Sequence, residues 1–288
     1  MKTRKYAFMV VNICILLVIS TGCSSTLFSP QPTPIPELPG WTLTWHDEFD
    51  GKAGTPPDAE KWGYDLGGSG WGNQEHEYYT NEPANAALNG KGALVITAIK
   101  LDKPAENDLT CWYGPCFYTS ARLLTKEKFE FTYGRVEARL KLPSGRGLWP
   151  AFWMLGSNID QVSWPDCGEI DIMENIGKEP DIIHGTVHGP GYSGASGFGK
   201  PYVLKDGIFS DDFHIFAIEW ETQEIRWYVD GQQFFSVKPE EVNGKWVFDH
   251  PYFLILNLAV GGRWPGYPDD STVFPQTLQV DYVRVYQK

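Results

Sequence analysis

Along this chain, apolar and polar residues alternate in short runs bounded by glycine and proline. Val136, Ala138, Leu140 and Leu142 interleave with Arg135, Glu137, Arg139 and Lys141, the period-two pattern of a half-buried strand. Residues 224–229 and 232–237 flank Asp230-Gly231, and Asp-Gly between two such runs predicts a two-residue hairpin. Residues 94–99, 213–220, 252–260 and 279–286 read as further strands. No long stretch has a 3.6-residue period, and 30 Gly and 21 Pro supply turns for many strands. No internal repeat and no second domain boundary is visible. The pattern predicts an all-β fold, two antiparallel sheets packed as a jelly-roll β-sandwich.

Residues 1–22 depart from the alternation. Lys2, Arg4 and Lys5 precede an apolar run that Ser20-Thr21-Gly22-Cys23 closes. This is an export signal with a small-residue cleavage site rather than a lasting transmembrane helix. Gly22-Cys23 resembles a bacterial lipobox, with Ser20 standing where Leu is usual. The resemblance implies a lipoprotein signal peptide, lipid on Cys23 and a cell-envelope location. An ordinary secretory signal with a chance Cys is the alternative, and would leave a secreted, soluble protein. Pro30, Pro32, Pro34, Pro36 and Pro39 mark 23–39 as an extended tether. Residues 40–288 are then the folded domain.

The formal net charge is −12, and without the three basic leader residues 21 Lys+Arg face 36 Asp+Glu, a net −15. Like charge repels nucleic acid and sulfated polysaccharide, whereas a neutral substrate is compatible. Cys111 and Cys116 flank a Trp-Tyr-Gly-Pro turn and could form a local disulfide in an oxidising compartment. Cys167 reads as a buried small hydrophobe, with a catalytic thiol as the alternative.

The candidate chemistry lies in Glu169-Ile170-Asp171-Ile172-Met173-Glu174. Period two sends Glu169 and Asp171 to one face and Glu174 to the other. One extra residue, a β-bulge at or near Met173, returns Glu174 to the face of the other two. Three acids on one face repel each other and make poor packing, but they suit a glycosidase. The strand puts the glutamates roughly 13 Å apart at Cα, at ~3.3 Å per step. Side chains leaning together can approach the ~5–5.5 Å of a retaining enzyme, and the wider ~6.5–9.5 Å of an inverting one also fits. Trp149, Trp153 and Trp164 lie just upstream, and Trp71, Trp112 and Trp264 also sit in Gly- and Pro-rich loops. Indoles in an open cleft stack on the flat apolar faces of sugar rings, and core packing is the other use of each.

The acid stretch resembles the active-site strand of glycoside hydrolase family 16, in its bulged form. Trp45-His46-Asp47-Glu48-Phe49, Gly70-Trp71-Gly72-Asn73-Gln74-Glu75 and Tyr78-Tyr79-Thr80 resemble segments of laminarinase-like members. Tyr118-Thr119-Ser120-Ala121-Arg122, Tyr133 to Arg139, Leu148 to Met154, His184 to Gly189 and Val280 to Tyr286 follow in family order. The resemblance implies Glu169 as nucleophile, Glu174 as acid/base, and Asp171 as the middle acid that helps keep Glu174 protonated. His188 is expected near Glu174, as a tuner of that acid or as a structural histidine. Asn73, Arg122, Trp149, Trp153 and Trp164 are the candidate sugar contacts, and Arg122 is alternatively an ion-pair partner of a nearby acid. Family members often carry one calcium, and Glu48, Asp281 and a carbonyl of the turn ending at Gly92 match its ligands. Two surface acids near the chain ends are the alternative to that site.

The expectation is therefore a retaining endo-β-1,3-glucanase with an open substrate cleft, monomeric, needing no cofactor for chemistry. Its partners are a neutral β-glucan and, through the lipid, a membrane, with no role for nucleic acid. Mixed-linkage β-1,3-1,4-glucan and transglycosylation are sibling alternatives, and galactans such as agar or carrageenan fit less well. A non-catalytic glucan-binding protein is the alternative from another class, and the retained glutamates argue against it.

Overall fold

The computed structural model of the protein describes residues 35–288. The export signal, Cys23 and the tether up to residue 34 lie outside the described residues. The alternating runs pair into two large sheets. One has ten strands, ordered Gln232–Val237, Glu224–Val229, His214–Glu221, Gly134–Lys141, Gln276–Gln287, Leu94–Lys100, Tyr118–Ser120 and Glu77–Tyr79, with Thr42–Asp47 and Ala86–Leu88 joining alongside. The other has seven, ordered Phe198–Val203, Ile182–His188, Glu169–Glu174, Leu148–Gly156, Tyr252–Val260, Arg122–Leu124 and Gly63–Asp65. Three short 3-10 turns are the helical elements among the described residues.

The jelly-roll expectation holds, with one exception to antiparallel pairing: Glu77–Tyr79 runs parallel to Tyr118–Ser120. The hairpin forms where Asp-Gly predicts it. Asp230 and Gly231 take φ of 48° and 79°, the left-handed pair a two-residue turn requires. Val136, Ala138 and Leu140 are fully buried, as the alternation predicts. Glu137, on the opposite face, is also buried, and Arg135 pairs with it at 3.0 Å.

The core fills the space between the sheets. Val136, Ile218, Val280 and Val285 come from one side, and Phe152, Met154, Ile170, Ile172, Leu254, Leu256 and Leu258 from the other. Trp227 crosses this core from the ten-stranded sheet, and its indole N–H donates to the carbonyl of Asp171 at 2.8 Å. A buried indole N–H needs such a partner. Gly185 makes room for the indole, since a Cβ there would stand 2.5 Å from Trp227 Cδ1. The fold thus reaches through its own interior to hold the backbone of the acid strand.

Cys111 and Cys116 are disulfide-bonded and close the small hairpin of Thr110–Cys111 with Gly114–Pro115. Cys167 is fully buried with Phe253, Ile255 and Leu155 in a second apolar cluster, which supports the hydrophobe over the thiol nucleophile. Burial pushes its thiol up to about 11, away from the reactive thiolate.

Candidate active site

The bulge in the acid strand is present. Against the strand Leu148–Gly156, Met173 faces Phe152 and Asp171 faces Trp153, so Ile172 has no partner. Against Ile182–His188, Asp171 faces Thr186 and Glu174 faces His184, so Ile172 and Met173 stand opposite Gly185 alone. Ile172 and Met173 both turn into the core. Glu169, Asp171 and Glu174 are returned to the outer face of the seven-stranded sheet, where the alternation of Trp149, Ala151 and Trp153 also points.

Each acid has its own polar neighbour. Trp164 Nε1–H donates to Glu169 Oε2 at 2.9 Å, and Trp149 Nε1–H donates to Glu174 Oε1 at 3.1 Å. His188 Nε2 lies 3.1 Å from Asp171 Oδ2 and 3.7 Å from Glu169 Oε1. His188 thus sits beside Asp171 and Glu169, its charge also acts on Glu174 in the direction that lowers that acid, and the strand partner of Glu174 is His184. Regular pairing would set Glu174 opposite Ile183, and the bulge brings it one position back toward His188, opposite His184.

Burial and crowding raise all three carboxyls. Burial first, and Asp171 second, push Glu169 to about 8, with His188, Trp164 and Arg122 working in the opposite direction. Burial pushes Asp171 to about 8, offset by its hydrogen bond with Glu169. Glu174 is pushed well above its ordinary range by burial, then by the charges of Asp171 and Glu169. The three titrate as one set. The Trp164 N–H, His188 and Arg122 favour the Glu169 anion, and His188 and the Trp149 N–H favour that of Glu174. Once one of the three is negative, its charge raises the proton affinity of the others.

Around the acids the indoles form a wall. Trp164 is 43% exposed and Trp264 38% exposed, and Trp264 meets Trp149 edge-on at 5.5 Å and His184 at 5.0 Å. Trp149 and Trp153 are half-buried, and Trp153 Nε1–H donates to Asn257 Oδ1 at 2.8 Å. Asn73 donates to Glu75 Oε1 at 3.1 Å, and its carbonyl accepts from the backbone N–H of Arg263. Arg122 has protein partners of its own. Its guanidinium lies 4.8 Å from the ring centres of both Trp71 and Trp153, and its Nε is 2.9 Å from Asp65. It serves as the ion-pair partner and as a cation held against two indoles.

Two cation sites invite comparison. Ligand atoms of Glu169, Asp171 and His188 lie within 4.8 Å of one another, but an ion there would occupy two of the three acids of the site. Glu48 gives both carboxylate oxygens to Arg284, at 2.9 and 2.8 Å. Asp281 gives one to Arg139 at 2.7 Å. Gly92, the third expected ligand, has Asp50 beside it at 3.7 Å from an ideal Cβ. Glu48 and Asp281 are thus each paired with an arginine in this structure.

His184 and Asn257 went unselected in the sequence. The alternation His184, Thr186, His188 carries the signal for the first. Nothing local marks Asn257, which lies in a run of nine buried residues.

Two glutamates on one face with an aspartate between them, beside a solvent-facing wall of indoles, meet the needs of glycosidic bond cleavage. The class that fold and site define is a glycoside hydrolase. The family model for glycosyl hydrolases family 16 matches residues 73–284, and the chain belongs to that family. It is 44% identical to a β-glucanase of Rhodothermus marinus over 296 residues, covering 100% of this chain and 97% of that one. It resembles the laminarinase catalytic domain of Thermotoga maritima MSB8 with a TM-score of 0.79 and 50% identity, over 86% of this chain and 98% of that one. The endo-β-1,3-glucanase of Pyrococcus furiosus gives 0.79 and 51%, over 86% and 94%.

Proposed function

We propose that this protein is a retaining endo-β-1,3-glucanase acting as a monomer on laminarin-type glucan. The observation that carries the chemistry is the bulge that puts Glu169 and Glu174 on one face with Asp171 between them. The β-glucanase, laminarinase and endo-β-1,3-glucanase similarities support the substrate class.

Glu169 attacks the anomeric carbon as the bond to the leaving oxygen breaks, and Glu174 passes its proton to that oxygen. The glycosyl group is then an ester of Glu169. Glu174, now a carboxylate, takes a proton from water as the water attacks the same carbon. The ester bond breaks and Glu169 is regenerated, with net retention. Asp171 sits between the two and spreads the changing charge. The chain's own carboxyl groups supply the nucleophile and every proton transfer.

The test is cleavage of laminarin, mixed-linkage glucan and agarose side by side, with the first-formed anomer read by NMR. Fast internal cleavage of laminarin to β-anomeric ends is expected. Preference for mixed-linkage glucan would shift the assignment to the sibling specificity, and α-anomeric ends would refute retention.

The lipobox-like Gly22-Cys23 and the proline tether support an exported enzyme held at the cell envelope by lipid on Cys23. Cys23→Ser should move the protein from the membrane fraction to the soluble exported fraction. An unmodified N-terminus beginning elsewhere would refute the anchor.

A further inference from the structure

Behind the wall of indoles lies a second pair of acids that the reaction does not use. Glu75 and Glu77 are 4% and 0% exposed. Asn73 Nδ2–H donates to Glu75 Oε1 at 3.1 Å, and the Tyr79 hydroxyl donates to Glu75 Oε2 at 3.3 Å. The backbone N–H of Val260 donates to Glu77 Oε2 at 2.6 Å. Glu77 Oε1 is buried and has no N–H or hydroxyl to receive. Glu75, two residues before it in the chain and also buried, is the charge that acts on it. Two buried anions so placed repel each other, and a proton on one of them removes the repulsion. From Tyr79 the chain of bonds continues outward: its oxygen accepts from Asn257 Nδ2 at 3.1 Å, and Asn257 Oδ1 accepts from Trp153 Nε1.

We propose that Glu75 and Glu77 share one proton and act as a positioning pair, holding Asn73 on one side and, through Tyr79 and Asn257, Trp153 on the other. Both ends of this network are sugar-contact candidates, so the inference rests on the glucanase reading for its substrate but not for the shared proton. The surroundings favour the protonated pair. Arg122 is the cation that acts on Glu75, and it is shared with Asp65. Tyr79 and Tyr113, from the strand and the disulfide hairpin packed against the pair, add hydroxyls and no positive charge. Burial raises both acids, which keeps the proton in place at neutral pH. Losing it sets two anions in contact, and their repulsion releases Asn73 and Tyr79.

Glu77→Gln replaces the protonated member by an amide that still accepts from Val260 and donates to Glu75. The experiment is kcat and KM on laminarin from pH 5.5 to 9.5 for both proteins. The wild-type KM should rise by about tenfold toward the alkaline end, and that of Glu77→Gln should stay flat, within about threefold of the wild-type value at pH 6. The kcat profile, set by Glu174, should be the same in both. Parallel KM profiles would overturn the proposal, as would a Glu77→Gln protein that fails to fold. If neither protein cleaves laminarin, the substrate reading fails, and thermal melting without substrate still decides the shared proton. Glu77→Gln should gain in melting temperature over wild type as the pH rises, and a constant difference would overturn the proposal.

Discussion

Replacing Glu169 by Gln should destroy the activity and stabilise the fold. The amide keeps an acceptor for the Trp164 N–H, seen at 2.9 Å, and presents a donor toward Asp171. What it removes is the ionisation of a buried group crowded by another acid. The folded chain holds this proton up to about pH 8, against an ordinary value of 4.5. A carboxyl raised in this way contributes its full stability below the unfolded value, and loses it as the pH climbs toward the folded value. At pH 7 the accumulated cost is on the order of 3 kcal/mol, at 1.36 kcal/mol per tenfold change in proton affinity. For a domain of this size that corresponds to roughly 6–12 °C in melting temperature. Melting curves of both proteins between pH 4 and 8.5 should coincide at the acid end and separate by that amount near neutrality, with Glu169→Gln the more stable. Laminarin hydrolysis by the variant should be lost, and azide should restore cleavage of an activated aryl glucoside in Glu169→Ala, giving the α-azide. A pH-independent gap, or a wild type that melts higher at pH 7, would refute the account of the site as crowded acids.

Other substitutions separate the roles of the neighbouring groups. Glu174→Gln should remove the alkaline limb of kcat/KM and cripple laminarin hydrolysis, yet give a burst with an aryl glucoside whose leaving group needs no proton; equal slowing of the first step for both substrates would pass the acid/base role to Asp171. Trp164→Phe removes a hydrogen bond to the Glu169 anion, so the acid limb should move to higher pH and kcat/KM should fall about 10- to 100-fold; an unmoved limb would show that the bond is incidental. Trp227→Phe deletes the N–H that meets the Asp171 carbonyl, and should cost about 1–3 kcal/mol of stability together with a lowered kcat; a loss of stability alone would uncouple the core indole from the site.

How much of this was legible follows from the range of each signal. The Asp230-Gly231 hairpin and the strand at Val136–Leu140 depend on local alternation and turn chemistry, which the chain carries within a few residues. The bulge was legible as well, because three acids on one face require it, and the unpaired residue, Ile172, adjoins the Met173 named from the pattern. The three-residue strands Gly63–Asp65, Glu77–Tyr79 and Arg122–Leu124 are too short to show a period, and their pairing is decided by distant partners. The neighbour of His188 and the stacking of Arg122 between Trp71 and Trp153 depend on inter-strand register, which the spacing of residues within one strand does not state. The acids Glu48 and Asp281 show the same limit in reverse, since the arginines that neutralise them, Arg284 and Arg139, come from elsewhere in the sheet.

The indole of Trp227 gives the molecule an unusual kind of ruler. The offset between nucleophile and acid is created on one sheet, but the peptide where it begins is gripped by a side chain rooted in the other. A change in sheet spacing, from a larger residue at Gly185 or a smaller one beneath the indole, would therefore alter the reach between Glu169 and Glu174 without touching either. Attempts to harden this scaffold by repacking its interior should leave Gly185, Trp227 and Asp171 as one unit, because thickness of the sandwich and timing of the two chemical steps are tied there.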